Sequence, residues 1–197
     1  MVKQNIKYIV NYWNIQDLSE VSKNFKELDC DKLEFKGLKY PEPHKRLEEF
    51  SNNYDGDYII IYTNDLVVTK KNLHIIVETL KNNNYPVLSG VCTPVRKHLP
   101  NTLNVCIEPL KGTDYNWVMK GEYKGIHQVG FAGLPLMAIH KSVFKKFNFY
   151  REGTNNTALD RRFCAWCVEK QIPIMVDFDN EMVHLDIHPN TSNNSTV

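Results

Sequence analysis

Short apolar runs alternate with amphipathic segments through the first half of the chain. Four runs rich in apolar, β-branched or aromatic residues predict strands: 7–12, 32–36, 58–62 and 86–91. Two longer segments repeat apolar residues every three or four positions, which predicts helices that bury one face: 18–28 and 70–82. Strands that alternate with helices are typical of βαβ units. We therefore predict an α/β fold with a central, mostly parallel sheet flanked by helices.

The second half of the chain is less regular. Residues 94–126 are rich in proline and glycine and predict short strands with an active-site loop. The remaining predicted elements are a short helix at 45–52, a strand at 134–139, helices beginning at 141 and spanning 160–170, and a strand at 172–176. In helix 160–170 we expect Phe163, Cys164, Cys167 and Val168 to face inward. We predict one domain over 1–188, with halves 1–93 and 94–188, and a flexible tail over 189–197.

Composition and charge exclude some functions. The 24 basic side chains nearly balance the 23 acidic ones, so nothing indicates the basic face of a nucleic-acid-binding protein. No apolar stretch has the length of about 18 residues needed for a membrane span, and the N-terminus lacks a secretory signal pattern. We therefore expect a cytoplasmic protein that does not bind nucleic acid and has no membrane span. The five cysteines, including the Cys164–Cys167 pair, are interpreted as ordinary buried thiols.

Polar residues follow the apolar core of two predicted parallel strands. Asn11 and Tyr12 end the first strand, and Thr63, Asn64 and Asp65 follow the most strongly apolar one. Ligands of open α/β sheets bind beyond the carboxyl ends of the strands. These five residues are therefore candidates for a binding site from topology alone.

Three segments carry a recognisable pattern: 58–68, 157–170 and 174–184. An apolar strand ends in an acidic motif, a later Asp opens a helix of the form Asp-x-x-Phe-Cys at Asp160, and a further strand leads to His184. This order resembles the GT-A fold glycosyltransferases, especially the large inverting family 2, over roughly residues 54–188. Segment 130–147 is similar to that family's acceptor-side strand and helix. The pattern is also similar to glycosyltransferases of archaeal viruses, which would place the protein in the host cytoplasm.

The resemblance implies a single-domain, Rossmann-like GT-A enzyme that transfers a sugar from a UDP- or GDP-linked donor. Its acceptor would be a protein, a lipid or a glycan. Asn11, Tyr12, Thr63, Asn64 and Asp65 would bind the nucleotide sugar. Asp65 and His184 would hold Mn²⁺ or Mg²⁺, which neutralises the departing diphosphate and suits oxygen and imidazole ligands. Asp160 would be the general base that accepts the proton of the acceptor hydroxyl. A simpler interpretation of Asp160, as a helix-capping acid, is compatible with that role.

The sequence departs from the family at the metal motif. Thr63 stands where the family has the first Asp of Asp-x-Asp, although its hydroxyl can still donate to a ribose. Asp177-Phe178-Asp179 is a literal Asp-x-Asp, but it follows a different strand and is a weaker metal candidate. Next to Asp160, Arg161 and Arg162 are interpreted as a solvated pair on the helix. Tyr115 and Trp117 could stack on a sugar or a base, or belong to the core.

Two other functions remain open. A sugar-phosphate nucleotidyltransferase shares this architecture, but the first strand-to-helix turn, residues 11–14, has no glycine. A non-catalytic carbohydrate- or nucleotide-binding module on a GT-A scaffold is favoured by Thr63 and opposed by the presence of Asp160 and His184. A dinucleotide-dependent oxidoreductase is disfavoured because no Gly-x-Gly-x-x-Gly occurs.

Overall fold

The computed structural model describes residues 8–13, 32–34, 41–63, 66–93, 101–111, 115–152 and 159–184. For 8–13 and 32–34 it describes the backbone alone. The predicted helix at 18–28, the predicted tail and Cys30 lie outside the described residues.

The described elements follow the predicted order. The strands are β1 (Tyr8–Trp13), β2 (Lys32–Glu34), β3 (Tyr58–Thr63), β4 (Leu66–Val67), β5 (Val87–Cys92), β6 (Thr102–Cys106), β7 (Trp117–Met119), β8 (Ile126–Val129), β9 (Phe131–Ala132), β10 (Met137–His140) and β11 (Ile174–His184). The helices are α1 (Glu42–Asn53), α2 (Lys70–Asn82), α3 (Lys141–Phe144) and α4 (Leu159–Glu169). Helix α2 has the predicted bounds, and α4 differs from its predicted range by one residue at each end.

The large sheet is mixed, so the prediction of a mostly parallel sheet is wrong. Its strand order is β2-β1-β3-β10-β5-β11-β4, and β8 also pairs with β11. Strand β1 is parallel to β2 and β3, and β5 is parallel to β11, as the βαβ pattern predicts. Strand β10 lies between β3 and β5 and is antiparallel to both, while β4 and β8 are antiparallel to β11. The apolar run that became β10 indicated burial but not direction. Direction depends on the connection, and β10 follows β9 without the helical crossover that a parallel neighbour needs.

Strand β3 lies at the centre of the core, as predicted. Ile59 and Ile61 pack into the cluster on one face of the sheet, while Tyr58, Ile60 and Tyr62 pack into the cluster on the other. These five side chains are all buried. A strand covered on both faces can be apolar at successive positions without alternation, which explains its continuous apolar sequence.

The irregular middle of the chain contains a second, smaller sheet in the order β7-β6-β9. Helix α4 packs on its β9 strand, where the Cys164 thiol donates a hydrogen bond to the Ala132 carbonyl over 3.3 Å. Cys164 and Cys167 are buried free thiols, as predicted. Burial raises the pKa of both, to about 12 for Cys167. Val168 was predicted to face inward, but its side chain is 38% exposed.

Within the described residues, no helix combines the length and the apolar character that crossing a membrane requires. The division into a nucleotide-sugar half and an acceptor half stays a prediction.

Candidate functional site

The carboxyl ends of β1 and β3 lie side by side. Their parallel register pairs Asn11 with Ile61, Tyr12 with Tyr62 and Trp13 with Thr63. Thr63 is partly exposed at the end of β3, one step beyond the buried Tyr62. The backbones of Asn11, Tyr12 and Thr63 are therefore at one edge of the sheet, as topology predicted. Asn64 and Asp65 lie outside the described residues, and the chain resumes at Leu66 in β4.

His184 reaches this edge from the other end of the chain. It is the last residue of β11, and its Cα pairs with that of Leu66 in the antiparallel β11–β4 ladder. Leu66 immediately follows Asp65 in the sequence. His184 therefore pairs with the residue that follows the other predicted metal ligand in the sequence, although more than half of the chain separates the two.

A bulge in β11 precedes this pairing. Ile174–Val176 pair with Val87–Ser89, and Glu181 and Met182 pair with Val91 and Cys92. Between these two stretches β11 has the four residues 177–180, whereas β5 has only Gly90. Extra residues in one strand bend it and increase its local twist.

Gly90 is required at this bulge by close backbone approach. A Cβ built on Gly90 would lie 2.6 Å from the Asn180 carbonyl oxygen and 2.8 Å from the Met182 Cε atom. The backbone oxygen could not move away without distorting β11. Glycine is therefore the residue that lets β5 and the bulge pack together.

Two buried asparagines attach the bulge to the start of α2. The Asn72 Nδ2 atom donates to Asn180 Oδ1 over 2.8 Å and to the Glu181 carbonyl over 3.2 Å. The Asn180 Nδ2 atom donates in return to the Asn72 carbonyl over 3.1 Å. Asn72 also completes a capping box with Thr69, the N-cap of α2. The two asparagines and Gly90 were not predicted from the sequence. Nothing in the local sequence pattern distinguishes a buried asparagine, or a glycine in a tight contact, from one on the surface.

The two carboxylates of the literal Asp-x-Asp motif have structural partners in the bulge. Asp177 is buried, and its Oδ1 accepts the Asp179 backbone N–H over 3.0 Å. Asp179 accepts the Gly125 N–H over 3.0 Å. Burial, reinforced by the neighbouring Asp179 charge, raises the pKa of Asp177. In the part of the chain that the structure describes, no group of three or more His, Cys, Asp or Glu residues is placed to hold a metal. Asp65 is not among those residues, so the predicted Asp65–His184 pair stays a prediction.

Asp160 lies in the first turn of α4 and is partly buried. Burial raises the pKa of this carboxyl, while the Arg161 backbone N–H, which donates to Asp160 Oδ1 over 2.8 Å, and the Arg161 charge oppose that increase. Cys164, one helical turn later, fixes α4 against Ala132 in β9. A carboxyl whose pKa is raised by its surroundings is a better proton acceptor than an ordinary surface acid.

The interpretation of Arg161 and Arg162 as a solvated pair fits Arg161, which is exposed, but not Arg162, which is partly buried. The Arg161 guanidinium lies over the Tyr115 ring, 5.1 Å from its centroid, and Tyr115 stacks on Trp117 with centroids 4.6 Å apart. The Arg162 guanidinium instead lies over the Phe147 ring and donates to the Phe149 carbonyl. The first arginine therefore lies beside the small sheet next to Asp160, and the second holds α4 to the 147–149 segment.

A third asparagine connects the small sheet to the carboxyl end of β5 in the large one. Asn104 Oδ1 accepts the N–H of Cys92 at the end of β5 over 2.9 Å, and the Asn104 carbonyl accepts the Gly133 N–H over 2.9 Å. A Cβ on Gly133 would lie 2.6 Å from the Asn104 side-chain nitrogen. The segment that leads from β9 to β10 is therefore held at the carboxyl end of β5.

Comparisons with known proteins find similarity in structure but none in sequence among family models and curated proteins. The sequence matches no protein-family model and no curated protein sequence. Protein A197 from STIV has a similar structure, with a TM-score of 0.60 at 14% identity over 97% of this chain and 100% of that one. A CMP:2-keto-3-deoxy-manno-octonic acid synthetase complexed with CTP has a TM-score of 0.54 at 10% identity, over 94% and 93% of the two chains.

A third similar structure is TarS 1–349 of S. aureus. Its TM-score is 0.52 at 11% identity, and the match covers 91% of this chain and 60% of that one. These likenesses confirm the GT-A-like fold of nucleotide-sugar transferases and the structural similarity to a viral protein. The protein therefore has a transferase-like α/β fold.

Proposed function

We propose that this protein is a metal-dependent glycosyltransferase that moves a sugar from a UDP- or GDP-linked donor to an acceptor hydroxyl with inversion. The observation that carries the proposal is the pairing of His184 with Leu66. It joins the last strand of the fold to the motif that ends β3. The bulge of β11, packed on Gly90 and hydrogen-bonded to Asn72, directly precedes this pairing.

The donor would bind across the carboxyl ends of β1 and β3. Thr63 lies level with Trp13 at that edge, and Asn11 and Tyr12 precede it in β1. Asn64 and Asp65 would complete the donor site in the segment that joins β3 to β4. The similar structures include a CTP complex, which fits a nucleotide-derived donor.

The residues at this edge fit Mn²⁺ or Mg²⁺. Asp65 would supply a carboxylate and His184 an imidazole, a donor set that Mn²⁺ accepts. The bound ion would neutralise the negative charge that develops on the leaving diphosphate. The pairing of His184 with Leu66, the residue that follows Asp65 in the sequence, supports this choice of ligands.

Asp160 would take the proton of the acceptor hydroxyl as that oxygen attacks the anomeric carbon. The carbon–oxygen bond to the diphosphate breaks as the new bond forms, and the pair of electrons leaves with the diphosphate. The partial burial of Asp160 supports this role, because it raises the pKa of the carboxyl and so strengthens it as a base. The Arg161 backbone N–H and the Arg161 charge oppose this increase in the pKa of Asp160.

A calorimetric titration of UDP, GDP and their sugar conjugates, with and without Mn²⁺, tests the proposal. The variants are Asp65→Ala, His184→Gln and Asp160→Asn, and the matched control is His74→Gln on the exposed side of α2. We expect metal-dependent binding that is lost in the first two variants and kept in the other two. Transfer or donor hydrolysis should fall about 10²–10⁴-fold in Asp160→Asn.

Two outcomes contradict the proposal. If no nucleotide binds at any Mn²⁺ concentration, the donor site is wrong. If nucleotide binds but Asp160→Asn retains full turnover, the base is wrong. Thr63 at the metal motif favours a second candidate, a binding module without catalysis. That candidate predicts saccharide or nucleotide binding with no turnover in the wild type.

A further inference from the structure

Arg162 connects the start of α4 to the backbone of Phe149. Its guanidinium donates to the Phe149 carbonyl and lies over the Phe147 ring, 5.4 Å from the ring centroid. The Arg162 side chain is partly buried, whereas that of Arg161 is exposed. A planar guanidinium that donates a hydrogen bond and lies over a ring at the same time keeps little rotational freedom. Arg162 therefore holds the start of α4 on the segment that contains Phe147 and Phe149.

Phe149 is held on its other side by α1. The Glu48 carboxylate accepts the Phe149 backbone N–H over 2.5 Å. Phe149 is 1% exposed, and buried backbone groups are stable only when they have hydrogen-bond partners. Glu48 and Arg162 are the partners of its N–H and its carbonyl. We call Glu48, Phe149 and Arg162 the Phe149 bridge, because together they connect α1 to the start of α4.

Aromatic packing beside the bridge limits the rotation of α4 about its axis. The Phe147 ring packs edge-to-face on Phe149 and on Phe163, with centroids 5.1 and 5.0 Å apart. It also lies 5.3 Å from the Trp166 ring. Phe163 and Trp166 belong to α4, so rotation of the helix would break both contacts. The rotation of α4 in turn determines the direction in which Asp160 points.

Asp160 lies in the first turn of α4, two residues before Arg162. The first N–H groups of a helix have no partner within it, and helix ends fray. The hydrogen bond from the Arg161 N–H to Asp160 Oδ1 is local, so it does not fix the carboxylate relative to the sheets. Cys164 holds α4 on β9 one turn further along, and Arg162 lies between that contact and Asp160.

We propose that Arg162 and Glu48 are positioning residues for Asp160, because through Phe149 they keep the first turn of α4, and with it the Asp160 carboxylate, in one partly buried position. Neither residue touches a substrate or a metal in this proposal. The consequence for catalysis rests on the proposed function, in which Asp160 is the base. The position of the carboxylate does not depend on that function and can be measured without turnover.

The sign of the change at Asp160 distinguishes positioning from a charge effect. Burial raises the pKa of Asp160, while the Arg161 N–H and charge oppose that increase, and the Cys164 thiol lies within range of its charge. A looser first turn would expose Asp160 to water and lower its pKa towards the usual range of an aspartate. Loss of a nearby positive charge would instead raise the pKa of a carboxyl. Arg162→Lys keeps the charge and removes the planar fork, so it tests position alone.

An NMR titration of the full chain with ¹³C-labelled aspartate carboxyls measures the pKa of Asp160, and Asp160→Asn assigns its signal. The test variants are Arg162→Lys and Glu48→Ala, alone and together. Glu48→Gln keeps an oxygen that can accept an N–H and is the conservative rescue. The matched controls change exposed residues of α1 in the same way and are Arg46→Lys and Glu49→Ala. Melting temperatures establish that each variant is folded over the pH range used.

We expect the pKa of Asp160 to fall in Arg162→Lys and in Glu48→Ala, and to match the wild type in Glu48→Gln and in both controls. The double variant should show no larger change than the single variants, because both residues act through Phe149. Turnover should follow the same pattern. In the two test variants kcat should fall about tenfold to 10²-fold with the donor KM unchanged, and the acid limb of the kcat profile should move to lower pH.

The inference is overturned if the pKa of Asp160 stays unchanged or rises in Arg162→Lys and Glu48→Ala, even where the melting temperature falls, since the bridge would then serve folding alone. An equal decrease in the controls would overturn it as well. If the wild type transfers no sugar while the pKa of Asp160 still depends on the bridge, the proposed function fails and the positioning of Asp160 stands. The two failures are therefore distinguishable.

Discussion

The reciprocal amide pair between Asn72 and Asn180 should stabilise both the fold and the approach of β11 to β4. Asn180→Ala removes the 2.8 Å bond from Asn72 Nδ2 and the 3.1 Å bond to the Asn72 carbonyl. Both residues are buried, so water cannot replace these bonds without entering the core. Asn72 Nδ2 keeps its 3.2 Å bond to the Glu181 carbonyl, which limits the cost.

The magnitude follows from these contacts. A buried polar group left without a partner costs about 1–3 kcal/mol. Because one of the two affected groups keeps a second bond, we expect Asn180→Ala to lower the free energy of unfolding by about 2 kcal/mol. Asn72→Ala should cost more, since it also removes Asn72 Oδ1, which accepts the Thr69 backbone N–H and the Thr69 hydroxyl.

Urea unfolding of the wild type, both single variants and the double variant measures this directly. The double-mutant cycle separates the amide pair from the capping contacts, and we expect a coupling energy of about 1–2 kcal/mol. Asn82→Ala, which removes a 3.0 Å bond to the Glu78 carbonyl on the exposed surface, is the control and should cost less than about 0.5 kcal/mol.

An additive cycle would refute the reasoning, because it would mean that the two amides do not act together. So would an Asn180→Ala variant as stable as the control. If the pair also fixes the end of β11, metal-dependent nucleotide affinity should fall in Asn180→Ala and stay unchanged in Asn82→Ala. Stability loss without this second effect would assign the pair to folding alone.

Three further outcomes follow from the structure. Gly90→Ala should destabilise the fold by about 1–3 kcal/mol, because the new Cβ would lie 2.6 Å from the Asn180 carbonyl oxygen. An unchanged melting temperature would contradict the packing described for the bulge. Burial, with the nearby Arg162 charge, lowers the pKa of His44 to about 4, so the free energy of unfolding should fall by about 3 kcal/mol in total as the pH drops from about 6.5 to about 4. Urea unfolding of His44→Gln should show a weaker dependence of stability on pH across that range. An equal dependence would assign the loss to other groups. Burial raises the pKa of Asp160, so stability should decrease as the pH rises through the pKa of this carboxyl in the folded protein. The acid limb of the pH profile of turnover should lie above the usual pKa range of an aspartate. Asp160→Asn should remove this part of the pH dependence of unfolding.

The sequence by itself determined the parts of the fold that depend on local pattern. Helix α2 has the predicted bounds because its apolar spacing and the Thr69 cap agree. Strand β3 is buried on both faces because its five apolar residues leave no polar side for solvent. The parallel direction of β1 and β3, and hence the edge that carries Thr63, was predicted from the alternation of strands and helices.

Only the tertiary structure determined the directions of the strands, the exposure of side chains and the contacts between distant segments. Strand β10 is antiparallel because of how the chain enters it, and apolar content carries no information about direction. Val168 is exposed because the helix face that it occupies lies over a cavity rather than over the core.

The pairing of His184 with Leu66 follows a bulge that packs on Gly90 and is hydrogen-bonded through Asn72 and Asn180, and these three residues have no local sequence signature. Single-sequence patterns report which residues avoid water, whereas the partners that buried polar groups find are fixed only when the whole chain has packed.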